Sequence, residues 1–551
     1  MHQKRFIPFA LLIFGAALWL QAPSSKAIET KSASKNVTFT KDIAPIFFKS
    51  CAECHRAGET APFSVISYKD VRPWAKSIRE KVVGKQMPPW HADPHVGQFK
   101  NDRSLSQAEI DTITAWVDGG AAEGNAKDLP PTPKFVEGWS IGKPDAILTM
   151  REEYTLAASG PDEYQYFAIP TNFTEDKYVQ MAEARPGNRR IVHHILAFAV
   201  PPGGKDFSKL SPEELQKMFD DDGPNSIFVR EGYLRRVKMD AKVNDDGCNG
   251  KFGEDDAGDV IAGYAPGRPP EVFEPGVAKK VPAGATLIFQ IHYSKVAGSV
   301  QKDRSSVGLI FAKEPPQKRM IKRGIENVFF KIPAGATAHK ATACWQPKED
   351  VTVYSMMPHM HYRGAAMEYK ATYPDGKTEV LLNVPNYDFG WQTNYALAKP
   401  KLIPKGTKIQ VTATFDNSAK NKANPDPAKD VRWGDPTYDE MLIGYIDFIP
   451  ERKAVAGMDA KALAAFVGLY DAGLMKMKVV QSGNQLFAEI AGQPRIELLP
   501  EAENKFFIRE IQNYVTFSRN EKGEVTEATV EMGNRPIKAK KKVDAPAGSG
   551  N

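Results

Sequence analysis

The sequence predicts a multidomain, mainly β chain: a small α-helical domain near the N-terminus, two antiparallel β-sandwich (jelly-roll-like) lobes and a small C-terminal β domain. Three observations carry this. Residues 144–450 are a succession of short alternating runs (AILTM, YQYFAIP, KYVQMAEARP, TLIFQIHYS, KIQVTATFDN) cut by Gly, Pro and Asn turns. Residues 105–121 place Ile110, Ile113, Trp116 and Val117 on one face of an amphipathic helix. Beyond residue 455, alternating runs recur at even spacing with turns at SGN, AGQ and NEKGE, as in a small barrel. A length of 551 residues accommodates three or four such domains.

In chain order, basic residues precede an apolar run at 6–20, shorter than the ~20 residues of a membrane span. Small residues at Ser25 and Ala27 offer a cleavage site, so residues 1–27 are expected to be a signal peptide. The expectation is a periplasmic or secreted protein with no integral membrane segment after leader cleavage. A net charge of +6, scattered along the chain, gives no nucleic-acid footprint.

Residues 37–125 hold CAECH, the C-x-x-C-H signature of covalent haem c attachment. Cys51 and Cys54 would form the thioethers and His55 would ligate the iron. GKQMPPWHADP then supplies Met87 as a sixth ligand, whose thioether raises the reduction potential. His91 and His95 are its rivals, read otherwise as loop histidines. With a Met-Pro pair before a last amphipathic helix that would close over the haem, this stretch resembles the class I cytochrome c family. Residues 126–143, with DLPPTPK, form a stiff linker.

The β region divides into lobes at 144–315 and 316–450. In VTVYSMMPHMHYRG (351–364), strand alternation puts His359 and His361 on one face and Met360 on the other. Two imidazoles so placed can converge on one metal, and copper, zinc, iron and nickel all accept them. His193 and His194 in RRIVHHILAFAV are adjacent, so they reach one metal only through a bulge; otherwise one is a core histidine and the other lies on the surface. His292 sits mid-strand in FQIHYS, and His339 reads as a surface turn residue. VPAGATLIFQIHYS and IPKGTKIQVTATFDNS repeat a turn–strand unit, with His292 opposite Thr414 when Gly284 and Gly406 are aligned.

RIVHHILAF, FQIHYS, MPHMHYRG and YDEMLIGYIDF, in this order, resemble the copper type II, ascorbate-dependent monooxygenases over about residues 143–450. The resemblance implies a copper-dependent monooxygenase that hydroxylates a C–H bond of a small organic substrate with O2. It implies two copper ions facing each other across a solvent-filled cleft. His193, His194 and His292 would hold an electron-transfer copper; His359, His361 and Met441 would hold the copper that meets dioxygen. Met441 taken alone reads as core, but a soft thioether in this company favours Cu(I). Gln290, on the face of His292, would hydrogen-bond near the first copper, and Tyr445 would line the substrate side. The peptide-amidating branch has an arginine where this chain has Met357, so a peptide-glycine substrate is not expected. An ascorbate-like reductant or a periplasmic redox protein would donate electrons, with the fused haem replacing or supplementing it. The same ligands would also suit a periplasmic haem/copper electron-transfer or copper-binding protein without oxygenase turnover.

Cys248 and Cys344 remain, and export favours their pairing in a disulfide. Between His194 and His292, PEELQKMFDD reads as helix, and NDDGCNGKFGEDDAGD as a solvated acidic loop lacking the calcium-loop pattern. Residues 455–540 resemble the small lipocalin-like domain appended to some exported bacterial hydrolases, and 541–551 read as a disordered tail.

Overall fold

A computed structural model describes residues 37–542 except 60, 161, 203–206, 212–213, 216–224, 231–232, 239–259, 296–297, 314–315, 317, 435, 452–457, 474–475, 484, 491–495, 509–512 and 532–535. The expected signal peptide, Cys248, the acidic loop and most of PEELQKMFDD lie outside the described residues. No described helix is long and apolar enough to cross a membrane.

The N-terminal domain is helical. The helix Gln107–Asp118 starts at a reciprocal capping box between Ser106 and Glu109, which satisfies two of its free amide donors. Its apolar stripe buries Ile110, Ile113 and Trp116 as expected, against Phe39 and the helix Ala44–Ser50. CAECH follows that helix as one further turn, with the amides of Cys54 and His55 donating to Cys51 O.

Each lobe is a pair of packed antiparallel sheets. In the first lobe, Glu163–Pro170, Thr286–Tyr293, Val192–Val200 and Val260–Tyr264 lie side by side in that order. The facing sheet carries Ala146–Thr149, Ser306–Phe311, Lys177–Arg185 and Val277–Val281. It also takes in Lys318–Arg319, past the expected division at residue 315. In the second lobe, Ile321–Glu326, Ile443–Pro450, Val351–His359 and Tyr395–Ile403 face a sheet of His339–Trp345, Lys408–Phe415, Gly364–Thr372 and Thr378–Val384. Separate apolar cores fill the two sandwiches, around Ile195 and Leu287 in one and Met367 and Val411 in the other. His339 opens a strand paired with Lys408–Phe415 and is not a turn residue. The repeated unit is real at its turn: Gly284 (φ 68°) and Gly406 (φ 81°) both occupy the left-handed region that glycine enters without strain.

Eight strands from Gly468–Asp471 to Ile537–Lys541 close into a barrel, the last ending on the first residue of the expected tail.

Two connections are tighter than their composition implies. Residues 90–101 run along the second lobe: Lys100 N donates to Ala396 O (2.9 Å), Ala398 N donates to Gln98 O (2.7 Å), and Trp90, Phe99 and Tyr395 pack edge to face. The proline-rich linker ends docked on the first lobe. There the amides of Ser140 and Ile141 donate to Glu183, and Trp139 lies 5.2 Å beneath the Arg185 guanidinium.

Candidate metal centres

The first triad is built within one sheet. His292 pairs with His194, but the next residue, Tyr293, pairs with Val192. His193 is therefore the extra residue of a bulge, which turns it to the side of its neighbour. The ligand atoms of His193, His194 and His292 lie within 4.8 Å of one another, and the rings are 4.9–5.7 Å apart.

The surroundings fix which nitrogens face the cluster. His193 Nε2 sits 3.2 Å from Gly390 O, and His292 Nε2 sits 3.1 Å from Asp162 Oδ2. A carbonyl and a carboxylate only accept, so each Nε2 carries the proton and each Nδ1 keeps its lone pair. Burial raises the Asp162 carboxyl, yet its bonds with His292 and Ser294 outweigh this and hold it low. Four buried ring nitrogens have no hydrogen-bond partner: His193 Nδ1, both nitrogens of His194, and His292 Nδ1. Buried polar atoms are almost always satisfied, and a bound cation satisfies all three rings at once. Burial, then the neighbouring rings, lowers His193 to about 4 and takes His194 well below the usual histidine range. The His193 and His194 imidazoles are thus neutral and ready to donate at pH 7.

The second triad is built at strand ends. The strand Val351–His359 stops at His359, opposite Ile443, so His361 lies in the following turn and not on the strand face expected for it. Continuing that antiparallel register sets Met441 opposite His361. The buried Glu440 carboxylate gathers this junction, accepting the amides of His361, Arg363 and Met441. Burial pushes its carboxyl up to about 8, against the pull of those amides. The imidazoles of His359 and His361 stand 5.4 Å apart at 86°. His359 Nδ1 donates to Gln392 Oε1 (2.8 Å) and His361 Nδ1 to Asp439 O (3.3 Å), with the Pro436 carbonyl a further partner of the His361 ring. Met441 is buried, and Tyr445 places its ring 6.2 Å from that of His359.

Two further residues have partners of their own. The Gln290 amide donates to Tyr166 OH (2.7 Å). Met357 takes a contact from Arg268 of the other lobe (3.8 Å to the sulfur), and Glu271 neutralises that guanidinium. Phe389 was not anticipated. Its ring stands 6.0 Å from His193, 5.8 Å from His292 and 6.0 Å from His361, in the space between the triads.

In the helical domain, His55 Nδ1 lies 3.2 Å from Phe63 O, so Nδ1 carries the proton and Nε2 keeps its lone pair. Cys51 and Cys54 are free, and burial pushes the Cys51 thiol up to about 12. Met87 follows the helix Ala75–Val83, its amide donating to Lys81 O (3.3 Å). Cys344 is disulfide-bonded; its expected partner, Cys248, lies outside the described residues.

Residues 327–461 match the family described as copper type II ascorbate-dependent monooxygenase, C-terminal domain. The match supports the copper type II ascorbate-dependent monooxygenase family. It takes in His359, His361, Met441 and Tyr445 of this monooxygenase-like lobe, and supports an oxidoreductase of copper-dependent monooxygenase type. The first triad lies outside the matched residues. Residues 452–542 match a domain of unknown function (DUF3471). No curated protein matches the chain. Among solved structures, the major capsid protein P2 from bacteriophage PM2 is 10% identical over 56% of this chain and 98% of its own, with a TM-score of 0.21. The infectious bursal disease virus VP2 subviral particle is 8% identical over 56% of this chain and 72% of its own, with a TM-score of 0.16. Scores this low carry no argument.

Proposed function

We propose that this chain is an exported monooxygenase with two copper sites and a covalent haem c, hydroxylating a C–H bond of a small organic substrate. The net reaction is R–H + O2 + 2 e⁻ + 2 H⁺ → R–OH + H2O. The observation that carries the reading is the cluster of buried, unpartnered ring nitrogens on His193, His194 and His292. Copper at the two triads supplies one-electron chemistry and dioxygen activation, and haem at Cys51, Cys54 and His55, with Met87 as sixth ligand, supplies electrons one at a time.

The rest is done by side chains. His193 and His292 present Nδ1, and His359 and His361 are held through Nδ1, each ring by a fixed acceptor. Tyr445 lines the second centre. Arg268, with its charge already matched by Glu271, is a poor anchor for a substrate carboxylate, which argues against a peptide-glycine substrate.

Contact between the helical domain and the first lobe supports haem as the donor. Arg103 donates to Gly267 O (2.6 Å), Arg189 pairs with Glu59, and a Cβ on Gly267 would come within 3.3 Å of Cys54 Sγ. Gly267 follows Tyr264, which pairs in the sheet with Ile195, the neighbour of His194.

The test is anaerobic reduction of the copper-loaded protein, followed by ¹⁸O2 and a substrate library, with haem absorbance and product mass read together. The expected result is haem reoxidation that depends on copper and substrate, with one ¹⁸O in a product. Haem that stays reduced under these conditions overturns the reading.

A further inference from the structure

One irregular stretch of the second lobe touches both triads. Gly390 O accepts from His193 of the first, and two residues later Gln392 Oε1 accepts from His359 of the second. Between these contacts, the Phe389 ring lies against His193 and His292 on one side and His361 and Tyr362 on the other. The stretch is a closed turn. Trp391 N donates to Asp388 O (2.9 Å), and Gly390 N donates to the Asp388 side chain (2.8 Å). Asp388 itself is exposed; its charge reaches His193, and its side chain closes the turn from outside.

We propose that the turn at residues 388–391 is a shared brace: Asp388 is a positioning residue that sets the ligand geometry of both metal centres together, and Phe389 fills the gap between them. This rests on the two-copper reading above. It replaces a water-filled separation by a protein contact, so a change in the turn reaches both centres. The ring orientations respond because hydrogen bonds to a ligand's second nitrogen aim the first one at the metal, and losing such a partner typically weakens metal binding about tenfold or more.

The experiment uses the full-length chain loaded with Cu(II) and compares the parent with Asp388→Ala and Asp388→Asn. Copper affinity at each centre and the two Cu(II) electron paramagnetic resonance signals are the readouts. Ala removes the acceptor that closes the turn; Asn removes the charge but keeps the Oδ1 acceptor. The expected result is that Asp388→Ala shifts the hyperfine values of both signals and weakens both sites about tenfold, while Asp388→Asn matches the parent. A shift at one centre only, or at neither, overturns the brace. Equal effects of Ala and Asn also overturn it, since they assign the role to charge. A parent that binds fewer than two copper ions overturns the underlying reading instead, and the two failures are told apart by that count.

Discussion

The two triads hold the same ring in opposite ways. In the first, His193 and His292 are pinned by Nε2 and face the cluster with Nδ1, and among the described residues no hydrogen bond holds the His194 ring. In the second, Nδ1 of both rings is pinned, and the Glu440 carboxyl group ties the histidine turn to Met441. The first site is a cluster of unsatisfied groups that a cation completes. At the second, hydrogen bonds fix the two imidazoles and the backbone of Met441 before any ligand arrives. On the two-copper reading, metal binding and folding would be coupled more strongly at the first centre than at the second.

The largest contrast is in the stability of the metal-free protein. His359→Leu strands Gln392 Oε1 in a buried site and should cost about 1–3 kcal/mol. His194→Leu removes two unpartnered nitrogens and should be close to neutral, although it abolishes the first site. Denaturant midpoints at constant slope measure both; equal losses would erase the distinction between the centres.

Gln392→Ala comes next. It should weaken copper at the second centre by about tenfold while the first keeps its metal, as read by titration with a competing chelator.

Acid should act on both centres. Burial holds His193 and His359 at about 4 when folded, against about 6.5 unfolded. Between those values the unfolded chain binds more protons, so stability falls as pH drops through that window. Metal-free protein followed from pH 7 to pH 4 should lose stability, and His193→Gln should lose less across the same range. An unchanged slope in that variant would contradict the assignment.

The smallest effect is expected at Gln290→Ala. Losing its bond to Tyr166 should cost about 1 kcal/mol without changing the copper count.

Strand alternation made much of this legible. It marked both sandwiches, and the adjacency of His193 and His194 named the bulge they would need. The same rule misplaced His361, because the strand ends two residues early and Glu440, invisible to any periodicity, accepts the His361 amide in the turn that follows. Phe389, Gly390 and Gln392 lie in an irregular loop with no repeating pattern, and Gly390 acts through a backbone carbonyl that any residue could supply. Residues 90–101 read as a haem-domain loop, yet they pair with the strand Tyr395–Ile403 because edge strands accept any backbone. Contacts between distant segments are set by how the lobes pack, which local pattern does not encode.

The most direct measurement is the copper content of the purified full-length chain by mass spectrometry, beside His194→Leu and His361→Leu. The account predicts two copper ions per chain in the parent and one in each variant, with the surviving signal differing between the variants. A parent with no bound copper, or variants that both retain the parent's count, would contradict it.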